Sequence, residues 1–449
     1  MDWSLPRRRT RYLTLGTALA LLVLPVLAAY PAAWPGLVGL TLATVLALVG
    51  LWSRTTLTTA QVLWGAVLLR LAFLPLMPGL TDDLYRYIWD GWIQMHGINP
   101  YRYVPQAEAL SRFQASVLFE RMNSPAYYSV YPPLLQWLFA LAGWFYALDW
   151  TVSYYVLKVL FTGAEFGGVI LLSRLTSARN LLLYAWNPVV LLEVAGQGHA
   201  EALLVPALLG LVWAVRTRRP RVASVAVAAA GLVKLYPFVL WPFLWRRNGW
   251  AAVWPGLLVC AGVSLPYAAP YTLPHLKASV DLFVSLMEFN AGPYYLVKHT
   301  LWTLTGADWS KVIGPVFRYT FLGLLPLLYV LDWRRDWDIG RSVLGTIGLF
   351  YILSPTVHPW YLVPLLALAV VPARPVWPWL WLATLSVGTY LFYVDGSYWT
   401  WIVLGWGGAA LLAIGRQSGV VSRLASGVGA GESTSASGAG RRGTGYADS

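Results

Sequence analysis

The chain has 449 residues, of which 58% are hydrophobic and 11% are charged, and its mean hydropathy is +0.58. This composition excludes an ordinary soluble domain. The formal net charge is +13, but the basic residues cluster in short loops between apolar runs, so we predict membrane topology rather than nucleic-acid binding as its cause. The single cysteine, Cys260, excludes a disulfide framework and a cysteine-rich metal site.

Apolar runs begin close to the N-terminus. The runs near 12–30, 36–52 and 57–77 predict three membrane helices, because a helix crosses a bilayer with about 20 residues. The basic cluster from Arg7 to Arg11 places the N-terminus in the cytoplasm, and we interpret the first run as a retained helix and not as a signal peptide. The segment 78–130 is therefore predicted to lie outside.

Basic loops at 174–179, 216–221, 246–248 and 333–341, together with Arg374, are predicted to be cytoplasmic. They divide the chain into about 11 to 14 membrane helices with both termini inside, so the predicted fold is an all-α polytopic membrane protein. We assign residues 1–415 to the membrane domain. The Gly-, Ser- and Ala-rich stretch 416–449 is predicted to be a disordered cytoplasmic tail.

Some intervals between basic loops are too short for two crossings. Residues 222–245 predict two short helices whose apex carries Lys234 and faces an external cavity, and 131–148 predicts a similar partial crossing. Irregular backbone at membrane depth is tolerated where it is buried in protein or lines a water-filled cavity. We therefore expect a cleft that opens outward.

An acidic block, 81-TDDLYRYIWDG-91, lies in the external segment. Asp83, Arg86 and Asp90 share a helix face, and Asp82 stands beside them. One interpretation is an interfacial amphipathic helix with ion pairs and no chemistry. The other is a carboxylate that takes the proton of a bound alcohol as a general base.

Further polar groups occur in apolar surroundings, where each is costly and hence a candidate for function. These candidates are Asn99, Tyr101, Tyr131, Glu193, Gln197, His199, Glu201, Lys234, Tyr236, His358 and Trp360. His199, Lys234 and His358 could form a basic pole for a phosphate, opposite the aspartates. The alternative for each is a satisfied structural group. Gly196 and Gly198 predict a helix break between Glu193 and Glu201.

Four ordered stretches resemble GT-C membrane glycosyltransferases: the acidic block with 97-GINPYRYVP-105 followed by YPPL at 131–134, WNP and GHAE within 186–201, VKLYP at 233–237, and 354-SPTVHPWYLVPLL-366. The likeness is to bacterial polyprenol-phosphate-mannose-dependent mannosyltransferases and to the catalytic subunit of GPI mannosyltransferase I. It covers about residues 80–366 and is most specific in the acidic block.

The resemblance implies inverting transfer of a sugar, mannose by family, from a polyprenyl-phosphate donor to a hydroxyl acceptor on the outer face of a bacterial inner membrane. It places the general base on Asp82 or Asp83, with Asp83 favoured. Lys234, His199 and Arg86 are expected at the donor phosphate. The substrate-binding residues are then expected to be Asp90, Asn99, Tyr101, Tyr131, Glu193, Gln197, Glu201, Tyr236, His358 and Trp360.

We expect no cofactor and no essential metal, because protein cations can steady a departing lipid phosphate. The expected partners are the lipid-linked donor, an acceptor alcohol and membrane lipid, without nucleic acid. Two other functions remain open at this stage. One is a transporter or flippase of a lipid-linked or small polar substrate, and the other is a glycan ligase that uses lipid diphosphate donors.

Overall fold

The structure, a computed structural model, describes residues 5–285, 287–372, 375–394, 396 and 398–417. Over these residues the chain is helical, with one isolated bridge between Phe289 and Thr356 in place of any strand. The α-helices are α1 Leu5–Ala28, α2 Trp34–Arg54, α3 Thr59–Phe73, α4 Asp83–Gln94, α5 Val117–Arg121, α6 Pro133–Trp144, α7 Trp150–Ser173, α8 Ala178–Ala185, α9 Pro188–Val190, α10 Leu204–Arg216, α11 Pro220–Val233, α12 Trp241–Asn248, α13 Trp254–Ser264, α14 Thr272–Ser285, α15 Gly292–Thr305, α16 Ser310–Arg335, α17 Ile339–Ile352, α18 Leu362–Ala369, α19 Val376–Ser386 and α20 Trp399–Gln417.

Shorter helical turns connect several of these helices. A π-helical turn covers Leu191–Gly196. The 3-10 turns are Pro31–Ala33, Glu108–Phe113, Phe145–Ala147, Ala200–Leu203, Tyr236–Leu240, Gly249–Ala252, Leu265–Tyr267, Pro359–Tyr361 and Val387–Tyr393.

Several helices are apolar enough to cross a membrane. In the described part of the chain, Pro31–Arg54, Trp150–Ser173 and Ser310–Arg335 qualify singly, and two bent helix pairs raise the number to five. Six shorter apolar helices of 10–17 residues accompany them. The predicted class, an all-α polytopic membrane protein, is confirmed. The total of 11 to 14 spans stays a prediction.

The predicted short and broken helices are present. Helix α6 has 12 residues and begins directly after Pro132, so it extends about 18 Å, well short of a bilayer of about 30 Å. Lys234 lies between α11 and the turn Tyr236–Leu240, at the apex that the sequence predicted. A bend of 108° separates Pro188–Gly196 from Ala200–Arg216. Gly198 lies in this bend with φ +78°, a backbone conformation that favours glycine.

Helix α4, which carries the acidic block, packs directly on α6 through two glycines. A Cβ atom on Gly91 would lie 1.8 Å from the carbonyl oxygen of Phe139, and one on Gly143 would lie 2.3 Å from the carbonyl carbon of Gly91. Backbone therefore touches backbone at this crossing, and the small residues set the depth of α4 in the bundle.

Buried ion pairs join helices away from the acidic block. Arg70 on α3 contacts Glu165 on α7 through two hydrogen bonds of 2.7 Å. Asp332 on α16 accepts hydrogen bonds from Arg247 and forms an ion pair with Arg246, which links the last turn of α12 to α16. Helix α20 continues to Gln417 and so includes the first two residues of the predicted tail. Arg374 and residues 418–449 lie outside the described residues.

Candidate active site

Two adjacent carboxylates stand at the start of α4. Asp82 is the N-cap residue and Asp83 is the first residue of the helix. The Asn123 side-chain amide donates to Asp82 Oδ1 over 2.6 Å, and the Tyr87 hydroxyl lies 3.5 Å from Asp83 Oδ2. The positive end of the helix dipole favours negative charge at this position. The N-terminus of helix α4 therefore carries two adjacent carboxylates.

Burial raises the pKa of both carboxyl groups. Burial, and then the charge of Asp83, raises the pKa of Asp82 to about 6. Burial also raises the pKa of Asp83, where the charges of His199 and Lys234 oppose that of Glu201. Neighbouring carboxyl groups that repel one another titrate as a pair. Such a pair can take up a proton close to neutral pH, which a general base must do.

Lys234 supplies a cation on the other side of the site. Its Nζ forms an ion pair with Glu201 Oε1 at 2.8 Å and lies 4.9 Å from the centre of the Tyr361 ring. The lysine side chain is 26% exposed, whereas that of Glu201 is 2% exposed. Tyr236 next to it bonds to the Tyr351 hydroxyl at 2.7 Å. Lys234 therefore keeps ammonium hydrogens for a ligand, while Glu201 balances its charge from behind.

His199 is held from one edge of its ring. Its Nδ1 lies 3.1 Å from Glu193 Oε2, and the Tyr390 hydroxyl donates to both carboxylate oxygens of Glu193 at 2.9 and 3.0 Å. On the opposite edge, His199 Nε2 is buried and has no hydrogen-bond partner among the described residues. A buried polar atom without a partner is costly, which makes Nε2 a candidate for ligand binding.

Trp360 lies between two histidine rings. His199 stacks on it at a centroid distance of 3.8 Å and His358 at 4.2 Å, so both faces of the indole are covered. Phe289 covers the other face of His358. Burial, with the charges of His199 and Lys234, lowers the pKa of His358 to about 3. His358 is therefore a neutral member of this aromatic column, and the substrate-binding role of Trp360 stays a prediction.

Gln197 holds the backbone that leads into the acidic block. Its Oε1 accepts hydrogen bonds from the amides of Gly79 and Leu80, each at 3.0 Å. Lys158 and Tyr154 on α7 donate to the carbonyl of Leu76, in the same segment. The turn that contains His199 thus also fixes the position of Asp82 and Asp83 through main-chain contacts.

Arg86 and Asp90 form a buried clamp behind the aspartates. Arg86 Nε bonds to Asp90 Oδ1 at 2.8 Å, and its Nη1 donates to the carbonyl of Ser124. Asp90 Oδ2 accepts from Ser129 and Gln136. The predicted shared helix face is confirmed, and the pair ties α4 to the loop that carries Asn123. Of Arg86, only Nη2 lacks a partner among the described residues.

Asn99, Tyr101 and Tyr131 join the external loop to its neighbours. Asn99 donates to the carbonyl of Tyr267 beyond α13, and its Oδ1 accepts from the amide of Tyr101. The Tyr101 hydroxyl donates to the carbonyl of Tyr131 at 2.5 Å. The side chains of Asn99 and Tyr101 bond to backbone, so they shape the loop around the site, whereas the Tyr131 ring packs against Tyr87 at a centroid distance of 5.0 Å.

The structure brings Asp82, Asp83, His199, Glu201 and Lys234 to one site, with Glu193, His358 and Trp360 behind His199. Arg86, Asp90, Asn99, Tyr101 and Gln197 surround it as supports. Sequence analysis missed Asn123, Tyr361 and Tyr390, which contact the aspartates, Lys234 and Glu193. Tyr361 lies within the quoted motif 354–366 and could have been found there, whereas Asn123 lies in the external segment 78–130 outside any quoted motif. Tyr390 is 197 residues from Glu193, and no spacing signals that contact.

No group of three or more His, Cys, Asp or Glu side chains in the described ranges is arranged to hold a metal ion. The acids at this site are instead paired with cations or amides. The expectation that no metal is needed stays a prediction.

Comparisons with known proteins agree on one class. A family model described as "Alpha-(1->6)-mannopyranosyltransferase, N-terminal domain" matches residues 5–248, more than half of the chain and all five residues gathered at the site. GPI mannosyltransferase 1 of Aspergillus fumigatus is 33% identical over 135 residues, which cover 26% of this chain and 31% of that protein. No solved structure matches the chain. The chain therefore belongs to the alpha-(1->6)-mannopyranosyltransferase family, which confirms its resemblance to GT-C mannosyltransferases.

Proposed function

We propose that the protein transfers mannose from a polyprenyl-phosphate donor to an acceptor hydroxyl, with inversion at the anomeric carbon and with Asp83 as general base. The observation that carries this proposal is the apposition of two poles. Asp83, next to Asp82, lies within electrostatic range of Lys234 and of His199, whose buried Nε2 has no partner among the described residues. One pole suits an alcohol proton and the other a departing phosphate.

The reaction needs one displacement. The acceptor oxygen attacks the anomeric carbon while its proton passes to the Asp83 carboxylate. The bond from the anomeric carbon to the phosphate oxygen breaks, and the electron pair leaves with polyprenyl phosphate. Lys234 and His199 stabilise the charge that develops on this phosphate, as fixed donors do best in a site with little water. Single displacement inverts the anomeric configuration.

Asp83 is favoured over Asp82 as the base. The charges of His199 and Lys234 reach Asp83, so this carboxylate faces the pole where the donor phosphate would lie. Asp82 is less buried than Asp83, and the charges of His199 and Lys234 are not among those that act on it. Because the two carboxyl groups titrate together, Asp82 raises the proton affinity of Asp83.

The external location of the site is supported by α10 and α11. Each helix begins or ends at the site, next to Glu201 and Lys234, and its other end lies at the basic loop 216–221. Helices of 13 and 14 residues separate these ends by about 20 Å. Positive loops favour the cytoplasmic side, so the site is on the outer side of the bundle.

The test is mannose transfer by the purified protein in lipid nanodiscs. Radiolabelled mannosyl phosphoryl polyprenol is supplied with a panel of alcohol and glycan acceptors. Asp83→Asn should lower the rate about 100- to 10,000-fold, the usual contribution of a general base, and Asp82→Asn less than tenfold. Asp308→Asn is the matched control, because Asp308 is an exposed acid at the start of α16. Full activity of Asp83→Asn would refute the base assignment, and no transfer by wild type would refute the function.

The same assay, repeated at different pH values, tests the protonation of the general base. A protonated carboxyl group cannot take the acceptor proton, so kcat/KM should rise with pH as Asp83 ionises, at a higher pH than for an ordinary aspartate because burial raises the pKa of Asp83. In Asp82→Asn the neighbouring negative charge is gone, so the acid limb should move to lower pH. If kcat/KM falls at the same pH in Asp82→Asn as in wild type, the two carboxyl groups do not influence each other's pKa, and the prediction is wrong.

A further inference from the structure

Glu193 is a buried carboxylate that the proposed reaction does not use. It lies in the π-helical turn Leu191–Gly196, and its side chain is 0% exposed. A charge in such a position persists only when other groups compensate it. Its oxygens meet the Tyr390 hydroxyl and His199 Nδ1, and both contacts are short enough for hydrogen bonds.

The contacts of His199 decide which ring nitrogen carries the proton. Its Nδ1 lies 3.1 Å from Glu193 Oε2 and also 3.1 Å from the main-chain oxygen of Glu193. A main-chain oxygen only accepts, and a carboxylate that already receives the Tyr390 proton accepts as well. Nδ1 must therefore be the donor. Nε2 is left for the site, either as a lone pair in the neutral ring or as an N–H in the imidazolium.

The direction of Nε2 is also fixed. Trp360 stacks on the imidazole with an interplanar angle of 11°, so the ring can change its orientation only by a half-turn about its bond to Cβ, and a half-turn would break the contacts of Nδ1 with Glu193. The preceding Gly198, with φ +78°, turns the backbone so that His199 follows a tight bend. A Cβ atom on Gly198 would lie 2.9 Å from Lys158 Cγ, so any other residue at this position would collide with the lysine side chain unless one of them moved.

Charged groups surround the His199 ring. Glu193 contacts Nδ1 directly, and the charge of Asp83 on α4 also acts on His199. His358, beyond Trp360, is neutral near pH 7, and its pKa is lowered partly by His199 and Lys234. Lys234 is the opposing cation at the site, and Glu201 balances it.

We propose that Glu193 is a positioning residue of the mannosyltransferase: by holding the proton on His199 Nδ1, it keeps the imidazolium Nε2–H directed at the donor phosphate. This inference rests on the proposed function. Glu193 itself does not touch the substrates. It acts through His199, in the way that an outer carboxylate orients a ligating histidine.

The first test is kinetic. Glu193→Gln keeps the size of the side chain but removes its charge. We expect kcat/KM for the lipid-linked donor to fall about 10- to 100-fold, the range for loss of an outer partner of a functional histidine, while KM for the acceptor stays within about twofold. In Tyr390→Phe, which perturbs the same buried cluster but retains the carboxylate, the fall should be less than tenfold. Equal losses in both variants would mean a structural role and would overturn the inference.

The second test is spectroscopic and uses wild type. The chain has five histidines, so magic-angle-spinning NMR of protein with 15N-labelled histidine gives few ring signals, and His199→Asn identifies those of His199. We expect a protonated Nδ1 in wild type and a change in the Nε2 signal in Glu193→Gln. An unprotonated Nδ1 in wild type would overturn the inference even if the Gln variant fails to fold.

The outcomes separate the two proposals. If wild type transfers mannose and Glu193→Gln retains its donor kcat/KM, the inference fails and the function stands. If wild type transfers no mannose from a polyprenyl-phosphate donor, the function fails, and the inference fails with it.

Discussion

At the residue scale, the charge of Lys234 is tied to a carboxylate that lies deeper in the protein. Glu201 Oε1 is 2.8 Å from Lys234 Nζ, and its side chain is 2% exposed. Breaking such a pair from one side leaves a buried charge without compensation. The single variant Lys234→Ala therefore confounds loss of donor binding with loss of stability.

A double variant separates the two effects. Lys234→Ala should lower the free energy of unfolding by about 3 kcal/mol, the low end of the range for a broken buried pair, because Lys234 is partly exposed. Lys234→Met with Glu201→Gln removes both charges and should stay within about 1 kcal/mol of wild type, yet raise the donor KM about tenfold or more. Thermal denaturation and donor titration measure the two quantities. Normal donor kinetics in a stable double variant would remove Lys234 from the phosphate site.

At the element scale, the contact of α4 with α6 sets where the aspartates stand. The two helices touch through Gly91 and Gly143, where a Cβ atom would meet backbone rather than a movable side chain. Helix α4 also bonds to the following loop through Arg86 and Asp90. The acidic block is therefore rigid because of both a close helix crossing and a polar clamp.

Gly91→Ala tests this crossing. The added methyl group would lie 1.8 Å from the Phe139 carbonyl oxygen, so α4 must move away, at a cost of about 3 kcal/mol, the upper part of the usual range for overpacking. Mannose transfer should fall as well, because Asp83 moves with the helix. Gly163→Ala on α7 is the control, since a Cβ atom there meets nothing within 4 Å. The melting temperatures of the two variants should differ clearly, and equal values would contradict the close crossing.

At the scale of the whole molecule, short and bent helices place a polar site within an apolar bundle. The breaks at Gly198 and Lys234 bring His199, Glu201 and the lysine together. The basic loop 216–221 lies at the opposite ends of α10 and α11. This arrangement predicts that the site and the basic loops face different sides of the membrane.

Cysteine labelling can measure this sidedness. In a Cys260→Ser background, Glu108→Cys marks the external loop and Thr217→Cys marks the basic loop, and both native side chains are exposed. A membrane-impermeant maleimide applied to intact cells should label only the first, and both after the membrane is opened. Labelling of Thr217→Cys alone in intact cells would place the site on the cytoplasmic side.

The sequence by itself determined the features that depend on residues close to one another in the chain. Apolar runs gave the all-α membrane class, and glycine, proline and an isolated lysine marked the breaks, because a bilayer penalises polar groups wherever they occur. The acidic block and its shared helix face also followed from spacing, since residues three and four apart meet on one helix.

Only the tertiary structure decided which polar groups are partners. Glu201 neutralises Lys234, Glu193 meets His199 and Tyr390, and Gln197 holds the backbone before the aspartates. In the sequence these side chains looked alike, as polar groups in apolar runs. They differ in the helix or turn that each side chain contacts. Tyr390 and Glu193 are 197 residues apart, and their contact arises from the packing of the whole bundle rather than from any local pattern.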